Sequence, residues 1–365
     1  MGGRSGSDGL LDDLERDLRE GAGRNAVYRR LLGELPAVLR GPAGARVAAA
    51  WARRTFIAWF DRPRLLLAAL RFDAIEEGSS HPLWRAIGPP ADPDAIGPPA
   101  VEAALAADRA RVWAALGERF VQTNETSRAV AWLWPAWLAG CDRGGRPLAL
   151  VDVGASAGLN LVADALPAPW TDERGQPVPV ARSPAMVARV GLDAAPLDVR
   201  SEDGAQWLRA LVWPGEPERL ARLDAAIAAF GSVDPARGGP VLERRSARDA
   251  PARLDELSRA HPDALVLALQ TVMREYLGAA EGEDYDAGME SWLFRSRPGS
   301  AAWLQLEHAT DGATREWPSW IVARWRARDG SHLRTAVLAR CGYHPVKLLV
   351  DPRAAQDFAA GIGDA

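Results

Sequence analysis

The stretch LALVDVGASAGLNL, residues 148–161, has the pattern of a buried strand, a tight turn and the start of a helix. Its apolar run, residues 148–153, has the length and composition of a strand buried in a parallel sheet. Gly154 and Gly158 then allow the backbone to turn sharply and to approach a ligand closely. A helix that begins after such a turn points its free N–H groups beyond the carboxyl edge of the sheet. The stretch therefore predicts an α/β fold with a ligand site at this turn.

The pattern around this stretch predicts a disordered tail, a helical region and an α/β domain. Residues 1–9 are rich in glycine and serine, and residues 10–140 repeat apolar side chains at helical spacing. From residue 141 to 365, short apolar runs alternate with helical patterns, which is typical of a parallel sheet. The predicted strands are 148–153, 187–193, 240–245, 264–270 and 301–307; the predicted helices are 159–166, 204–230, 250–260 and 315–328. Residues 332–341 and 345–350 predict a terminal β-hairpin.

The composition is typical of a soluble globular protein and lacks the excess of basic residues that is typical of nucleic-acid-binding proteins. Hydrophobic residues make up 48% of the 365 residues, charged residues 25%, and the formal net charge is −4. No segment has the features of a signal peptide or a membrane span, so we expect a cytoplasmic protein that contacts no membrane. The two cysteines, Cys141 and Cys341, are expected to be reduced, and they and the histidines show no metal-ligand spacing.

Polar residues stand at the predicted ends of three strands, where ligands bind in open α/β sheets. Asp152 precedes the glycine turn, Asp193 ends the second strand and Asp249 follows the third. A carboxylate at the second strand can accept hydrogen bonds from both ribose hydroxyls, and one at the third can accept from an adenine amino group. This order favours a nucleoside cofactor. The predicted cofactor site comprises Asp152, Gly154, Ser156, Gly158, Asn160, Asp193, Asp249, Ala250 and Gln270.

Each of these residues also has a purely structural interpretation. The glycine turn can serve packing alone. Asp193 and Asp249 each stand near the predicted start of a helix, where aspartate commonly caps the first turn.

Three motifs resemble the cofactor-binding motifs of class I S-adenosylmethionine (SAM) methyltransferases. They are Asp152-x-Gly154-x-x-x-Gly158, GLDAAP at 191–196 and Arg248-Asp249-Ala250. The predicted ending, with a helix between the fifth strand and two more strands, is also similar. The resemblance implies a Rossmann-like methyltransferase-type sheet in residues 141–365, with SAM as cofactor and a small-molecule acceptor. The chain departs from the pattern at Ser156, where a glycine is typical. Residues 270–276 also lack the signature of amino-group methyltransferases.

Over most of its length the chain also resembles an uncharacterised bacterial family, domain of unknown function 2332. The matching runs are VQTNE at 121–125, GASAGLNL at 154–161, GLDxxPLD at 191–198 and WLxxxVWP at 207–214. This second resemblance supports the predicted architecture, but it implies no particular activity.

Two groups of polar residues are predicted to contact the substrate. Glu307 and His308 end the fifth strand, where either can accept a proton from a methyl acceptor as a catalytic base. Asn124, Glu125 and Arg128 form a polar cluster between apolar helices, and segments beside a cleft often carry binding groups.

Other functions stay open alongside the methyltransferase hypothesis. Gly154-x-Ser156-x-Gly158 also matches the nucleophile elbow of α/β-hydrolases, with Ser156 as the nucleophile and a downstream histidine as its base. A catalytically silent protein would use the same turn to bind a ligand without turnover. An NAD-dependent oxidoreductase is less favoured, because the turn departs from G-x-G-x-x-G.

Overall fold

The computed structural model describes residues 4–5, 9–122, 124–142, 144–233 and 238–362, so residues 1–3 and 6–8 of the predicted tail lie outside the described residues. The helices are α1 (Leu10–Glu20), α2 (Ala26–Leu39), α3 (Pro42–Trp51), α4 (Asp61–Glu77), α5 (Trp84–Ile87), α6 (Pro98–Ala104), α7 (Ala110–Glu118), α8 (Val130–Leu138), α9 (Glu202–Leu211), α10 (Pro217–Ser232), α11 (Ala250–Ala260), α12 (Ala279–Arg295) and α13 (Pro352–Ile362). The strands are β1 (Arg4–Ser5), β2 (Thr55–Phe56), β3 (Leu148–Val153), β4 (Thr171–Asp172), β5 (Met186–Asp193), β6 (Val241–Arg244), β7 (Leu265–Thr271), β8 (Ala301–His308), β9 (Ser319–Arg326), β10 (Leu333–Cys341) and β11 (Lys347–Val350). Short 3₁₀ helices at Thr126–Ala129, Leu159–Ala165, Ala247–Asp249 and Arg274–Tyr276 border the site described below.

The chain forms two compact units. One comprises residues 1–123 and 200–223 and is built from helices α1–α7 and α9, with β1 and β2 as a small antiparallel pair. The other comprises residues 124–199 and 224–365, and its described residues include a sheet of nine strands. Helices α1–α8 occupy the region in which apolar spacing predicted helices.

The large sheet has the strand order β4-β11-β10-β9-β8-β7-β3-β5-β6. The neighbours from β6 through β5, β3 and β7 to β8 are parallel, whereas β9 pairs antiparallel with both β8 and β10. This confirms the predicted α/β class. The chain runs from β3 outward to β5 and β6 and then returns to β7 on the other side of β3. The strand order therefore reverses between β3 and β7, and ligands bind beyond the carboxyl ends of the strands at such a point.

Helices α11 and α12 supply apolar side chains to the core at one face of this sheet. Leu254 and Leu257 of α11 and Met289 and Trp292 of α12 are buried in one cluster with residues of β3, β5, β7 and β8. All six residues of β3 are buried, as its continuous apolar run predicts. Each large apolar side chain in such a core contributes about 2 kcal/mol through burial. This packing fixes the strand ends that form the candidate site.

The predicted helix 315–328 is wrong, because Ser319–Arg326 form strand β9. The run SWIVARWR pairs antiparallel with β8 and buries Ile321, Ala323 and Trp325, while Arg324 and Arg326 are only partly buried. Its β-branched and aromatic residues fit a pleated, half-buried surface better than a helix. The sixth strand therefore follows the fifth without the helix that the methyltransferase resemblance implied.

Other elements differ less from the prediction. The predicted helix 204–230 is two helices, α9 and α10, which are separated at Pro214 and Gly215, where Gly215 has a φ of 78°. Helices α12 and α13 were not predicted. The terminal hairpin is confirmed, since β10 and β11 pair antiparallel. Among the described helices, none is both long enough and apolar enough to cross a bilayer.

Candidate functional site

The turn after β3 has a left-handed backbone at every second residue. Gly154, Ser156 and Gly158 have φ angles of 78°, 52° and 72°. Glycine adopts this region freely, whereas it strains a serine. A Cβ on Gly158 would lie 2.6 Å from Leu242 Cδ2, and one on Gly154 would lie 2.5 Å from Met273 Cγ. Both the turn and the close packing around it therefore require the two glycines.

Asp193, at the end of β5, holds the turn from one side. Its Oδ2 accepts a hydrogen bond of 2.7 Å from Ser156 N, and its Oδ1 accepts one of 2.8 Å from Ala195 N. Gly154 N donates to Leu192 O at 2.8 Å, which joins the turn to the same strand. The carboxylate is thus part of the turn's own structure. Each of its oxygens keeps a second lone pair with which it can accept from a ligand.

Asn124 holds the turn from the other side. Its Nδ2 donates to Ser156 Oγ at 2.6 Å, and its Oδ1 accepts a long hydrogen bond of 3.5 Å from Leu159 N. A side chain that was predicted to contact the substrate therefore positions the serine hydroxyl. Within the described part of the chain, this hydroxyl is hydrogen-bonded to Asn124 and not to a histidine.

Asp152, near the end of β3, carries a buried carboxylate. The residue is 1% exposed, and neither carboxylate oxygen accepts a hydrogen bond from the described residues. Burial raises the pKa of Asp152 to about 7. The nearby Asn160 side chain lowers this pKa, although it is too poorly aligned to form a hydrogen bond with the carboxylate. The Asp193 carboxylate raises the pKa further. A buried carboxylate without a partner is costly and is typical of functional sites.

Gln270, in β7, is fully buried and uses its amide inside the fold. Its Oε1 accepts hydrogen bonds from Tyr285 Oη at 2.8 Å and Trp303 Nε1 at 2.9 Å. Its Nε2 donates to Glu307 Oε1 at 2.8 Å. Gln270 was predicted to bind the cofactor, and in the structure it contacts the predicted catalytic residue Glu307 instead.

The two carboxylate oxygens of Glu307 differ in their hydrogen bonds. Oε1 accepts from Met273 N at 3.1 Å and Arg274 N at 3.3 Å in addition to Gln270, whereas Oε2 accepts no hydrogen bond from the described residues. Burial raises the pKa of Glu307, the three donors oppose this rise, and the Glu275 carboxylate adds to it. The geometry therefore leaves Oε2 as the oxygen that can accept a proton or contact a ligand.

His308 follows Glu307 and pairs with Glu275. His308 Nε2 lies 3.2 Å from Glu275 Oε2, and its ring meets the Tyr343 ring edge-on with centroids 4.9 Å apart. The hydrogen bond to Glu275 raises the pKa of His308, and partial burial opposes the rise. The pair can therefore hold a proton at the same edge as Glu307.

Two residues of the predicted substrate cluster contact the loop between β10 and β11. Arg128 Nε donates to Tyr343 O at 3.0 Å, and Glu125 Oε2 lies 3.1 Å from His344 Nδ1. Glu125 and Arg128 are both buried. Because Tyr343 also touches His308, the substrate cluster and the predicted catalytic pair meet at this loop.

Asp249 and Ala250 lie apart from these contacts, beyond the end of β6. Asp249 Oδ2 accepts from Ser246 N at 3.0 Å in a capping box at the start of a 3₁₀ helix, and Ala250 is fully buried in the core cluster. No hydrogen bond between described residues joins either one to the glycine turn. The structural interpretation of Asp249 as a helix cap agrees with this geometry.

We expect the substitution Asp249→Ala to lower the free energy of unfolding by about 1 kcal/mol, because the capping box is lost. Chemical denaturation measures this change. The control is Asp284→Ala, which removes only an exposed ion pair with Arg248 and should change stability by less than about 0.5 kcal/mol. An unchanged free energy in Asp249→Ala would contradict the cap.

The other predicted site residues lie at the carboxyl edge of β3, β5, β7 and β8 or contact it. They are Asn124, Glu125, Arg128, Asp152, Gly154, Ser156, Gly158, Asn160, Asp193, Gln270, Glu307 and His308. Sequence reasoning missed Met273, Glu275 and Tyr285, which contact this set. No motif marks these three residues, because their roles depend on tertiary contacts.

A second cluster of titratable side chains lies in the helical unit. Asp73, Glu77 and His81 offer ligand atoms within 4.8 Å of one another, and His81 lies beyond the end of α4, after a short 3₁₀ turn. Arg109 forms ion pairs with both carboxylates. Leu83 N donates to His81 Nδ1 at 3.1 Å, which leaves Nε2 as the protonated nitrogen facing Asp73. The contacts of Asp73 and Glu77 with Arg109 are therefore those of an ion-pair network.

A family model described as "Uncharacterized protein conserved in bacteria (DUF2332)" matches residues 18–348. No curated protein and no solved structure matches the chain.

Proposed function

Since the chain belongs to DUF2332, a family of uncharacterised bacterial proteins, we propose its function from the site itself: it binds SAM and transfers the methyl group to a small-molecule acceptor. The observation that carries this proposal is Asp152, a buried carboxylate without a hydrogen-bonding partner, beside the point where the strand order reverses. Such a site favours a ligand with a cationic group.

The residues at the edge fit several parts of SAM. Asp152 would face a cationic group of the ligand, and the second lone pairs of Asp193 would accept from the ribose hydroxyls. The turn from Gly154 to Gly158, together with Asn160, would lie beneath the ligand. Met273 packs against Gly154, so a ligand that reaches the turn has to lie beside this side chain. The assignment of the adenine ring to Asp249 and Ala250 stays a prediction.

The strand order supports a Rossmann-like sheet for this unit. In chain order, β3, β5, β6, β7 and β8 are its first to fifth parallel strands, and their spatial order 3-2-1-4-5 is the arrangement expected of a doubly wound nucleotide-binding sheet. The antiparallel β9 and β10 depart from the ending that the resemblance implied. The methyltransferase type is therefore proposed from the first five strands and the site.

The main task of the protein in this mechanism is to orient SAM and the acceptor relative to each other. When bound, SAM supplies a methyl group on a positively charged sulfur, so the leaving group comes with the cofactor. Asp152 and Asp193 would hold SAM in place. The side from which an acceptor approaches would be lined by Arg128, Glu125, Glu307 and His308. Holding two reactants in line is worth several kcal/mol of the activation barrier. A base at this edge removes the acceptor's proton.

Formation of S-adenosylhomocysteine tests turnover directly. The purified protein is incubated with SAM and pools of small amines, hydroxyl compounds and thiols, and the product is quantified against the Asp193→Ala variant. Product above that of the variant in one pool supports methyl transfer. Tight SAM binding without product in every pool would favour the catalytically silent protein instead.

One observation favours the serine hydrolase as a second candidate. Ser156 has the left-handed φ of 52° that a strained nucleophile elbow requires. The contacts of the Ser156 hydroxyl argue against a hydrolase. This hydroxyl accepts a hydrogen bond from Asn124, and among the described residues no histidine is placed to act as its base.

We expect Ser156→Ala to change SAM affinity by less than about threefold, because the backbone N–H that Asp193 contacts stays in place. A fluorophosphonate probe should not label the wild-type protein. Titration calorimetry and gel fluorescence measure the two effects. Labelling of the wild type that disappears in a folded Ser156→Ala variant would establish the hydrolase and overturn this prediction.

A further inference from the structure

Four side chains form a continuous hydrogen-bonded path from the core to the edge of the sheet. We name this set, Tyr285, Trp303, Gln270 and Glu307, the glutamine relay. Tyr285, Trp303 and Gln270 are fully buried, and the rings of Tyr285 and Trp303 pack edge to face with centroids 5.6 Å apart. Tyr285 lies on α12, Trp303 on β8 and Gln270 on β7. Three separate elements therefore determine the geometry of one amide.

The two donors allow only one orientation of the Gln270 amide. Trp303 Nε1–H can only donate, and the Tyr285 hydroxyl is directed at the same oxygen, so the carbonyl Oε1 has to face them. The amide nitrogen then has to face Glu307 Oε1, to which it donates at 2.8 Å. Reversing the amide would place its NH₂ group against the Trp303 N–H and leave buried donors unpaired. Because an amide N–H pairs best with an ionised carboxylate, this orientation favours the charged form of Glu307.

The groups around Glu307 have opposing effects on the pKa of its carboxyl group. Met273 N and Arg274 N also donate to Oε1 and favour the ionised carboxylate, whereas burial and the Glu275 carboxylate oppose it. His308, next in the strand, is paired with Glu275. The donors all converge on Oε1, so Oε2 is the oxygen left for a proton or a ligand.

We propose that Gln270 is a positioning residue: Tyr285 and Trp303 lock its amide, the amide holds Glu307 by Oε1, and Oε2 takes the proton of an acceptor that carries an O–H or N–H group. This inference rests on the proposed function, and it names the acceptor class. A thioether or another acceptor without a proton to lose has no need of such a base.

The transfer step balances with the groups named. The lone pair of the acceptor oxygen or nitrogen forms a bond to the methyl carbon, the carbon–sulfur bond breaks, and its electron pair stays on sulfur. The acceptor proton passes to Glu307 Oε2, which leaves a methyl ether or methylamine and a protonated glutamate. Solvent then removes this proton, and no oxidant, reductant or further reactant is needed.

The pKa of Glu307 tests the relay without knowledge of the acceptor. Carbon-13 NMR of the glutamate carboxyl groups is followed over pH, and the signal is assigned by its absence in Glu307→Gln. We expect the pKa to rise in the double variant Tyr285→Phe, Trp303→Phe, and to change less in Tyr285→Phe, in which the Trp303 N–H still holds the amide. With both donors gone the amide can turn its oxygen toward Glu307, which then favours the protonated form.

Trp292→Phe is the matched control, because Trp292 is equally buried in the same core and its Nε1 has no hydrogen-bonding partner among the described residues. It should leave the pKa of Glu307 unchanged. If the double variant does not fold, Trp303→Phe alone carries the test, since it removes the indole N–H, which can only donate, whereas the remaining Tyr285 hydroxyl can also accept. An unchanged or lowered pKa in the folded double variant, or in folded Trp303→Phe, overturns the relay.

Calorimetry separates the relay from the proposed function. If the wild type binds SAM and the Glu307 pKa does not respond, the relay fails and the methyltransferase proposal stands. If the pKa responds and SAM does not bind, the lock on the Gln270 amide stands, whereas the methyltransferase proposal fails together with the role of Oε2 toward a methyl acceptor. Product that forms only from acceptors without a proton to lose, such as added thioethers, would overturn the acceptor class, whereas product from hydroxyl compounds or amines supports it.

Discussion

Replacing Asp152 by asparagine is expected to abolish SAM binding and to stabilise the protein by about 3 kcal/mol more at pH 8 than at pH 5. The carboxylate is buried and unpartnered, and its pKa rises from the ordinary 3.8 to about 7 in the folded protein. Between these two values the folded protein binds more protons than the unfolded chain. The free energy of unfolding of the wild type therefore falls as the pH rises from about 4 to about 7, and asparagine removes this loss.

Denaturant titrations at several pH values measure this difference. The matched control is Asp263→Asn, an exposed aspartate just before β7, whose effect on stability should be small and the same at pH 5 and pH 8. A stability gain for Asp152→Asn that does not depend on pH would contradict the buried charge. A variant that keeps full SAM affinity would remove Asp152 from the binding site.

We expect Asp193→Ala to have the second large effect: about 100-fold weaker SAM binding and about 2–4 kcal/mol lower stability. The carboxylate accepts from Ser156 N and Ala195 N, so alanine leaves both N–H groups without their acceptor and loosens the turn. The proposed acceptor of the ribose hydroxyls is lost at the same time. Titration calorimetry and denaturation measure the two losses.

Two further variants separate these contributions. Asp193→Asn keeps one acceptor oxygen, so it should fall between the wild type and alanine in both measurements. Asp255→Ala removes an exposed ion pair with Arg295 and should cost at most about 1 kcal/mol without any change in affinity. Full SAM affinity in a folded Asp193→Ala variant would show that this carboxylate serves only the turn.

Strands β3 and β7 were predictable from continuous apolar runs, because all but one of their residues are buried. The predicted strands lie within one or two residues of β3, β5, β6, β7 and β8. In β9 the arginines interrupt the apolar run, so its pattern predicts a helix in place of the strand. In α12 the apolar stripe that includes Tyr285, Met289 and Trp292 lies among glycines and acidic residues, which hid its helical period.

The position of the site was predictable, and most of its internal contacts were not. Parallel strands bring their carboxyl ends to one edge, so Asp152, Asp193 and Glu307 could be placed together from strand order alone. The hydrogen bond from Asn124 to Ser156 and the lock on Gln270 join residues that are 32 and 15 or more positions apart in sequence. No local pattern encodes such pairs, because they depend on how helices and strands pack.

Calorimetric titration of the wild-type protein with SAM, and separately with S-adenosylhomocysteine, shows whether the sheet edge holds this ligand. We expect saturable one-site binding with a Kd on the order of 10 μM, and its loss in folded Asp152→Asn. No saturable heat from either ligand with folded wild-type protein would contradict a SAM site at the carboxyl edge of β3, β5 and β7.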